Sequence, residues 1–241
     1  MDINYQEIKG KKVLLYSGGL DSWLIDKLWK PDVKLYIDMN TEYSQQEIKN
    51  LPEDVIVEKL DLGKWERKDA IIPLRNLYLI MYASNYGDII CTGSLAGDRS
   101  FDKSFEFYDK TEGMLNYLYS PQWWIPEGRE IKIERQFKYL TKTELLKKYL
   151  DEGGDIEKAW KGSFSCYHPV GMETCKICKP CTRKFITFAE FGYVDESWLP
   201  QVIPAIGRDM IPQINAGTYG RGEAEEKVIL DIYNKYKGYD A

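Results

Sequence analysis

Apolar residues along this chain fall into short runs that alternate with longer segments of mixed character. Residues 12–16 and 33–38 (Val33-Lys34-Leu35-Tyr36-Ile37-Asp38) read as strands, and Asp21–Lys30 between them reads as a helix. A third strand, Val55–Leu60, follows the polar helix-like stretch Ser44–Asn50, and a fourth, Asp88–Gly93, follows the apolar-periodic segment Arg75–Tyr86. Strands alternating with helices predict an α/β fold with a doubly wound, mostly parallel sheet covered on both faces. Ligands of such sheets lie at the carboxyl ends of strands. The loop after the first strand, Asp38 after the second and Gly93–Asp98 after the fourth are therefore expected to face one crevice.

The pattern weakens further on. Residues 98–130 read as loop-rich and aromatic, with Tyr117, Tyr119, Trp123 and Trp124 close together, which suits a lid, a partner surface or an aromatic cluster under a long loop. Thr141-Lys142-Thr143-Glu144 opens a helix to about Leu150, with Thr141 or Thr143 as the cap. Past residue 192 prolines and glycines punctuate the chain until a last helix, Glu223–Tyr236, whose Val228, Ile229, Ile232 and Tyr233 recur at the spacing of a buried face. Such a face must lie on something, and a homodimer contact or a flap over the active-site mouth is expected. The organisation read from these shifts is residues 1–150 as a nucleotide-binding α/β domain, 151–192 as a cysteine-bearing region and 193–241 as a C-terminal extension.

Candidate chemistry sharpens the first loop. Tyr16-Ser17-Gly18-Gly19-Leu20-Asp21-Ser22 follows a buried-type strand and precedes a helix. Two adjacent glycines let the backbone come close to a ligand, and Ser17 and Ser22 add hydroxyls at a helix start, where anions are favoured. The alternative is an ordinary turn with Asp21 or Ser22 as N-cap. Gly-x-x-x-x-Gly-Lys-Ser/Thr is absent, so nucleotide chemistry built on that loop is unsupported.

Four of the five cysteines, Cys166, Cys175, Cys178 and Cys181, are spaced C-x8-C-x2-C-x2-C. Four thiolates suit a closed structural zinc site, with an iron–sulfur cluster as the competitor. Cys91, alone in a strand pattern, reads as a small core residue. His168 is the only histidine, which makes Ser-His and Cys-His hydrolase mechanisms improbable.

Composition narrows the classes. With 241 residues and 44% hydrophobic content the chain can bury a substantial core. Net charge is -5 with a pI near 5.2, so stable nucleic-acid binding is not expected. No apolar run is long enough to span a membrane, and Met1-Asp2-Ile3-Asn4 lacks an export signal; with clustered cysteines this suggests the cytoplasm.

Ser17–Ser22 resembles the PP-loop, Ser-Gly-Gly-x-Asp-Ser, of the ATP pyrophosphatases. Its combination with the cysteine spacing resembles the 7-cyano-7-deazaguanine synthase family of the queuosine pathway, over roughly residues 11–192. Further matches are Pro73-Leu74-Arg75-Asn76, Gly93 with Asp98, Asp102 with Glu106 and Phe107, Thr141-Lys142, Ser165-Cys166-Tyr167 and Arg183 after the last cysteine. The chain departs from the family's pattern at Leu20, where Gln is common, and at Asp38-Met39-Asn40-Thr41, where Asp-Tyr-Gly-Gln is common. The Asp98–Asp102 segment is two residues short.

The resemblance implies an adenine nucleotide alpha hydrolase-like (PP-loop) fold with a small C-terminal zinc-binding region. It implies an ATP-dependent C–N ligase that converts 7-carboxy-7-deazaguanine and ammonia into the nitrile through adenylated intermediates. Structural zinc, ATP and Mg2+ are the implied cofactors, and a deazapurine, ATP and ammonia the implied small molecules, with room for a homodimer. Tyr16, Ser17, Gly18, Gly19, Leu20, Asp21, Ser22 and Gly93 would hold ATP, and Lys142, Arg75 and Asp21 would serve catalysis. Asn76, Asp98, Asp102, Glu106 and Arg183 would face the substrate. Two alternatives remain: a PP-loop ligase acting on a nucleic acid or protein, and a non-catalytic zinc-stabilised binding module. ATP turnover with a small deazapurine, only with a macromolecule, or not at all separates the three.

Overall fold

The computed structural model describes residues 5–68, 71–98, 100–169 and 173–240. The N-terminal tetrapeptide read above, and Arg99 within the shortened Asp98–Asp102 segment, lie outside the described residues. The chain forms two compact units, Met1–Thr141 and Lys142–Ala241.

In the first unit, helix α1 (Tyr5–Ile8) precedes strand β1 (Lys12–Leu15), α2 (Leu20–Trp29), β2 (Val33–Asp38), α3 (Ser44–Lys49) and β3 (Val55–Lys59). Then come α4 (Arg75–Ala83), β4 (Ile89–Cys91), α5 (Phe105–Leu118) and β5 (Lys132–Ile133). The strands pair in the order β3-β2-β1-β4-β5, all parallel, as the alternation of runs requires. β1 lies between β2 and β4, with Val13 opposite both Val33 and Ile90. The winding therefore reverses at β1, and the loops leaving β1 and β4 flank the switch point. Val13, Leu35, Ile37, Ile90 and Ile133 from the strands pack with Ile80, Ala83, Tyr108 and Leu115 from the helices. Each fully buried aliphatic side chain contributes roughly 1.5–3 kcal/mol. Cys91 is buried in this sheet, and burial pushes its thiol up to about 12, as suits an inert core residue.

Two elements lie where the sequence reading placed none. Residues 98–130, read as loop-rich, also hold the fourteen-residue helix α5. Ser104 accepts from the Phe107 N–H as its cap, and Tyr108, Thr111 and Leu115 form the buried stripe. Thr111 in the stripe and Gly113 in the interior dilute the apolar signal. The aromatics then divide: Tyr119 and Trp124 pack with each other and with Tyr5, whereas Tyr117 and Trp123 are exposed. The second is β5, whose two residues are too short to show any alternation.

The second unit holds α6 (Lys142–Asp151), α7 (Ile156–Gly162), α8 (Lys179–Ala189), α9 (Leu199–Asp209), α10 (Ile211–Asn215) and α11 (Glu223–Tyr236). The stretch punctuated by prolines and glycines thus holds two helices, α9 and α10. Pro200 sits in the first turn of α9, where no N–H is needed, and Pro204 inside the helix forfeits one backbone bond. Leu199, Val202, Ile203 and Ile206 on one side of α9 are buried, and that apolar face outweighs the lost bond. α11 lays Ile229 and Ile232 against this unit, in contact with α9 and α8. Its apolar face is covered within the unit and gives no reason of its own for a dimer or a flap. Trp198 and Tyr193 of the extension also pack on Trp160 of α7, with ring centroids 4.7 and 5.6 Å apart.

Candidate active site and cysteine centre

Tyr16 and Leu20 are buried, as anchors of the glycine-rich turn after β1. The Tyr16 N–H donates to Leu35 O at 2.8 Å, which ties the end of β1 to β2. Gly18 has φ of +73°, a left-handed conformation natural to glycine, and a Cβ there would meet Leu51 Cδ2 at 3.4 Å. Gly19 is the N-cap of α2 and has no side chain with which to cap it. The Ser22 hydroxyl donates to Gly19 O at 3.1 Å, and the Ser17 and Ser22 oxygens lie 3.4 Å apart. Both hydroxyls thus stand at the positive end of α2, beside Asp21 in its first turn. Gly93, just past β4, also has positive φ, and a Cβ on it would lie 4.0 Å from Leu15 O. The turn after β1 and the turn after β4 therefore leave the sheet side by side, a geometry suited to an anionic ligand.

On the other side of β1, the Asp38 carboxylate accepts from the Asn40 N–H at 2.9 Å and closes a tight turn. Asn40 has φ of +58°. Among non-glycine residues asparagine tolerates this conformation best, so it can stand where the resembled pattern carries glycine. Gly63 fits against this loop, since a Cβ on it would lie 2.4 Å from Asn40 O. Thr41 is buried and shares a 2.9 Å hydrogen bond with Ser44.

The remaining first-unit candidates separate by environment. Arg75 opens α4 directly after Leu74, whose φ is +61°. Asn76 is buried, and its Nδ2 donates to the Asp102 carboxylate at 2.8 Å, so two candidates from distant parts of the sequence are brought together. Asp98 accepts from the Leu95 N–H at 3.2 Å and from Lys103 Nζ at 3.1 Å, capping its turn. Glu106 lies on the exposed side of α5 and pairs with Lys110 at 2.6 Å. A buried acid that sequence reasoning passed over is Glu47 of α3, which accepts from the Tyr36 hydroxyl at 2.7 Å. Burial raises its carboxyl to about 7, against the opposing influence of Tyr36 and Arg75.

In the second unit the four cysteine sulfurs all lie within 4.8 Å of one another. A tetrahedral centre with metal–sulfur bonds of about 2.3 Å needs sulfurs about 3.8 Å apart, so this set fits one. The surrounding backbone fits as well: Cys175 N–H donates to Cys166 Sγ at 3.2 Å, Cys178 N–H to Cys175 Sγ at 3.4 Å and Tyr167 N–H to Cys178 Sγ at 3.5 Å. Such donors favour thiolates. Cys178 is the N-cap of α8 and Cys181 lies in its first turn. The contact between the Cys178 and Cys181 sulfurs lowers the Cys178 thiol and pushes Cys181 up, and burial raises Cys166. A bound metal would displace those protons. Among the described residues this is the only such cluster.

Lys142 is the first residue of α6, and Arg183 lies on α8 two residues past the last cysteine. Its neighbour Lys184 went unnoticed in the sequence, although a lysine among Cys181, Phe185 and Phe188 occupies a helix's buried side. Lys184 Nζ donates to Trp160 O at 2.6 Å and to Ser163 O at 2.5 Å, and stands 4.8 Å from the Trp160 ring. It thereby closes the end of α7 just before Cys166. Burial brings its ammonium down to about 7.

The family model described as "Queuosine biosynthesis protein QueC" matches residues 50–192, more than half of the chain. The chain belongs to the QueC family. The match takes in β3 to α8 with all four cysteines, and begins after the Ser17–Ser22 turn. Relatives of this QueC chain include the 7-cyano-7-deazaguanine synthase of Clostridium kluyveri, 27% identical over 77% of this chain and 96% of the relative. The enzymes of the same name from Citrifermentans bemidjiense and Geobacter sp. are each 26% identical, again over 77% of this chain and 96% of their own. No solved structure matches the chain at a significant level. Among the described residues no helix is long and apolar enough to cross a membrane.

Proposed function

We propose that this QueC-family chain is a cytoplasmic 7-cyano-7-deazaguanine synthase, an ATP-dependent ligase that uses 7-carboxy-7-deazaguanine and ammonia. The observation that carries this reading is the Ser17–Ser22 turn. It lies at the switch point of a parallel sheet, beside Gly93, in a chain that also bears the four-cysteine centre. Attack of the substrate carboxylate on the α-phosphorus of ATP forms an acyl-adenylate and releases pyrophosphate. Ammonia displaces AMP to give the amide. A second adenylation on the amide oxygen, followed by loss of AMP and a proton, leaves the nitrile. Each turnover consumes two ATP and yields two AMP and two pyrophosphate.

This chemistry asks little acid–base work of the protein and much binding and shielding. Ser17, Gly18, Gly19 and Ser22 would hold the phosphates against the positive end of α2, and Asp21 would hold Mg2+ for the leaving pyrophosphate. Arg75, Lys142 and Arg183 are assigned as cations toward the charge that develops in transfer. Asn76 and Asp102, already hydrogen-bonded together, offer acceptors to the N–H edge of a guanine-like base, with Asp98 four residues before Asp102. Glu106 keeps its place in this reading only if it leaves Lys110. Zinc bound to Cys166, Cys175, Cys178 and Cys181 would be structural, since four sulfurs complete its coordination.

The test is mass spectrometry of a mixture with 7-carboxy-7-deazaguanine, ATP, magnesium and ammonium. The nitrile and two AMP per product are expected. AMP formed only with a nucleic acid or a protein would move the reading to another acceptor, and no AMP under any condition would end it.

A further inference from the structure

Helix α8 carries Cys181 in its first turn and Lys184 one turn later. Lys184 is only 4% exposed, and among the described residues it has no carboxylate partner, although a buried lysine is ordinarily paired. Its partners are neutral. Nζ donates to Trp160 O at 2.6 Å and to Ser163 O at 2.5 Å, and stands 4.8 Å from the Trp160 ring. Trp160 O belongs to the last turn of α7, where carbonyls find no donor further along the helix, and Ser163 is the residue that ends it. One atom of α8 thus gathers in the end of α7. Two residues past Ser163, Ser165 O lies 3.2 Å from Cys181 Sγ, and Cys166 comes next, its sulfur accepting from the Cys175 N–H at 3.2 Å.

We infer that Lys184 is a positioning residue for the cysteine centre: by fixing Ser163 against α8 it sets the place from which Cys166 reaches a metal held by Cys175, Cys178 and Cys181. This deepens the proposed function and rests on its reading of the four cysteines as a zinc site. Cys175, Cys178 and Cys181 lie in one short stretch that ends on α8, whereas Cys166 is separated from them by the x8 gap, so its sulfur has to be delivered by the chain that precedes it. Without the hold on Ser163 the metal itself would have to order that segment, and its affinity would fall by the cost of doing so. The charge also has the right sign. Zinc held by four thiolates leaves a net negative charge, which a buried cation one helical turn from Cys181 offsets.

The test measures the affinity of the full chain for Zn2+ by competition with a chelator, and the visible spectrum of the Co2+-loaded protein, in Lys184→Met, Cys166→Ala and the double variant. Lys184→Met is expected to bind zinc about 10–100-fold more weakly, the usual effect of losing a group that orients metal ligands. Its cobalt spectrum should lose four-thiolate character and approach that of Cys166→Ala. In the Cys166→Ala background the same substitution should cost less than about threefold, because no fourth sulfur is left to deliver. A loss of equal size in both backgrounds would show Lys184 acting on the fold in general and overturns the inference, as does wild-type affinity with a wild-type spectrum in Lys184→Met. The unaltered chain supplies a check that does not depend on how a variant folds: acetylation read by mass spectrometry should spare Lys184 in the zinc-loaded protein and reach it after chelation, and equal labelling in the two states refutes the link to the centre. If the wild type binds neither zinc nor cobalt, the metal reading fails and the inference with it, while conversion of ATP to AMP with formation of the nitrile tests the rest of the proposed function separately.

Discussion

Replacing Arg129 by Met should cost the first unit about 4 kcal/mol, because Arg129 and Asp88 form a buried pair beneath the sheet. Their side chains are 3% and 9% exposed. Arg129 Nε and Nη2 donate to Asp88 Oδ1 at 2.9 and 2.7 Å, and Nη2 also reaches Ser84 O at 2.8 Å and Gly87 O at 3.1 Å. The guanidinium lies 5.1 Å from the Tyr5 ring and 4.7 Å from the Tyr119 ring. Removing one partner of a buried pair strands the other charge at roughly 3–5 kcal/mol. Two carbonyls losing their donor add about 1 kcal/mol each, and methionine packing between the rings returns a similar amount. Urea unfolding monitors the loss, and the melting temperature should fall by about 10 °C. Because the stranded charge dominates, Arg129→Met with Asp88→Asn should be more stable than Arg129→Met alone by about 2 kcal/mol. The asparagine keeps an acceptor for the Gly10 N–H that Asp88 holds at 2.7 Å. Turnover of the folded variant should be unchanged, since Asp88 stands at the amino end of β4, opposite the glycine-rich turn. A loss under about 1 kcal/mol, or strict additivity of the two substitutions, would refute this account.

Freshly purified protein should contain about one zinc per chain, and its removal should cost on the order of 10 kcal/mol in the cysteine loop; elemental analysis finding iron with visible absorption would exclude zinc. Ser17→Ala and Asp21→Ala should each lower AMP formation about 100-fold with unchanged circular dichroism, and wild-type turnover in a folded double mutant would remove the phosphate-binding assignment. Glu47, raised from 4.5 to about 7, binds more protons folded than unfolded between those values. Its contribution to stability is therefore fully present below pH 4.5 and lost as pH rises through 7, by up to about 3 kcal/mol, and Glu47→Gln should flatten that slope in urea titrations. Deleting residues 196–241 should uncover α8 and cost the second unit its fold and metal; a soluble truncation with full zinc content would show the extension dispensable.

The doubly wound sheet was legible because strand-length apolar runs alternate with helix-length segments, and a period of two or of 3.6 is a local property of the chain. The glycine-rich turn and the cysteine cluster were legible for a related reason: their geometry needs particular residue types at fixed short spacings, two glycines before a helix and two Cys-x2-Cys steps. Helix α5 was missed where Thr111 and Gly113 dilute its apolar stripe, and α9 where Pro200 and Pro204 read as breakers. In both the packing of a buried face outweighed local propensity, which a short stretch of sequence does not display.

What the sequence determined by itself was a parallel α/β fold, a cluster of four cysteines and the family. Which side chains share a partner was decided only by the tertiary structure. Asn76 with Asp102, and Lys184 with the end of α7, join residues separated by more than twenty positions. A buried polar group must find a partner wherever the fold brings one, and sequence spacing carries no record of that choice.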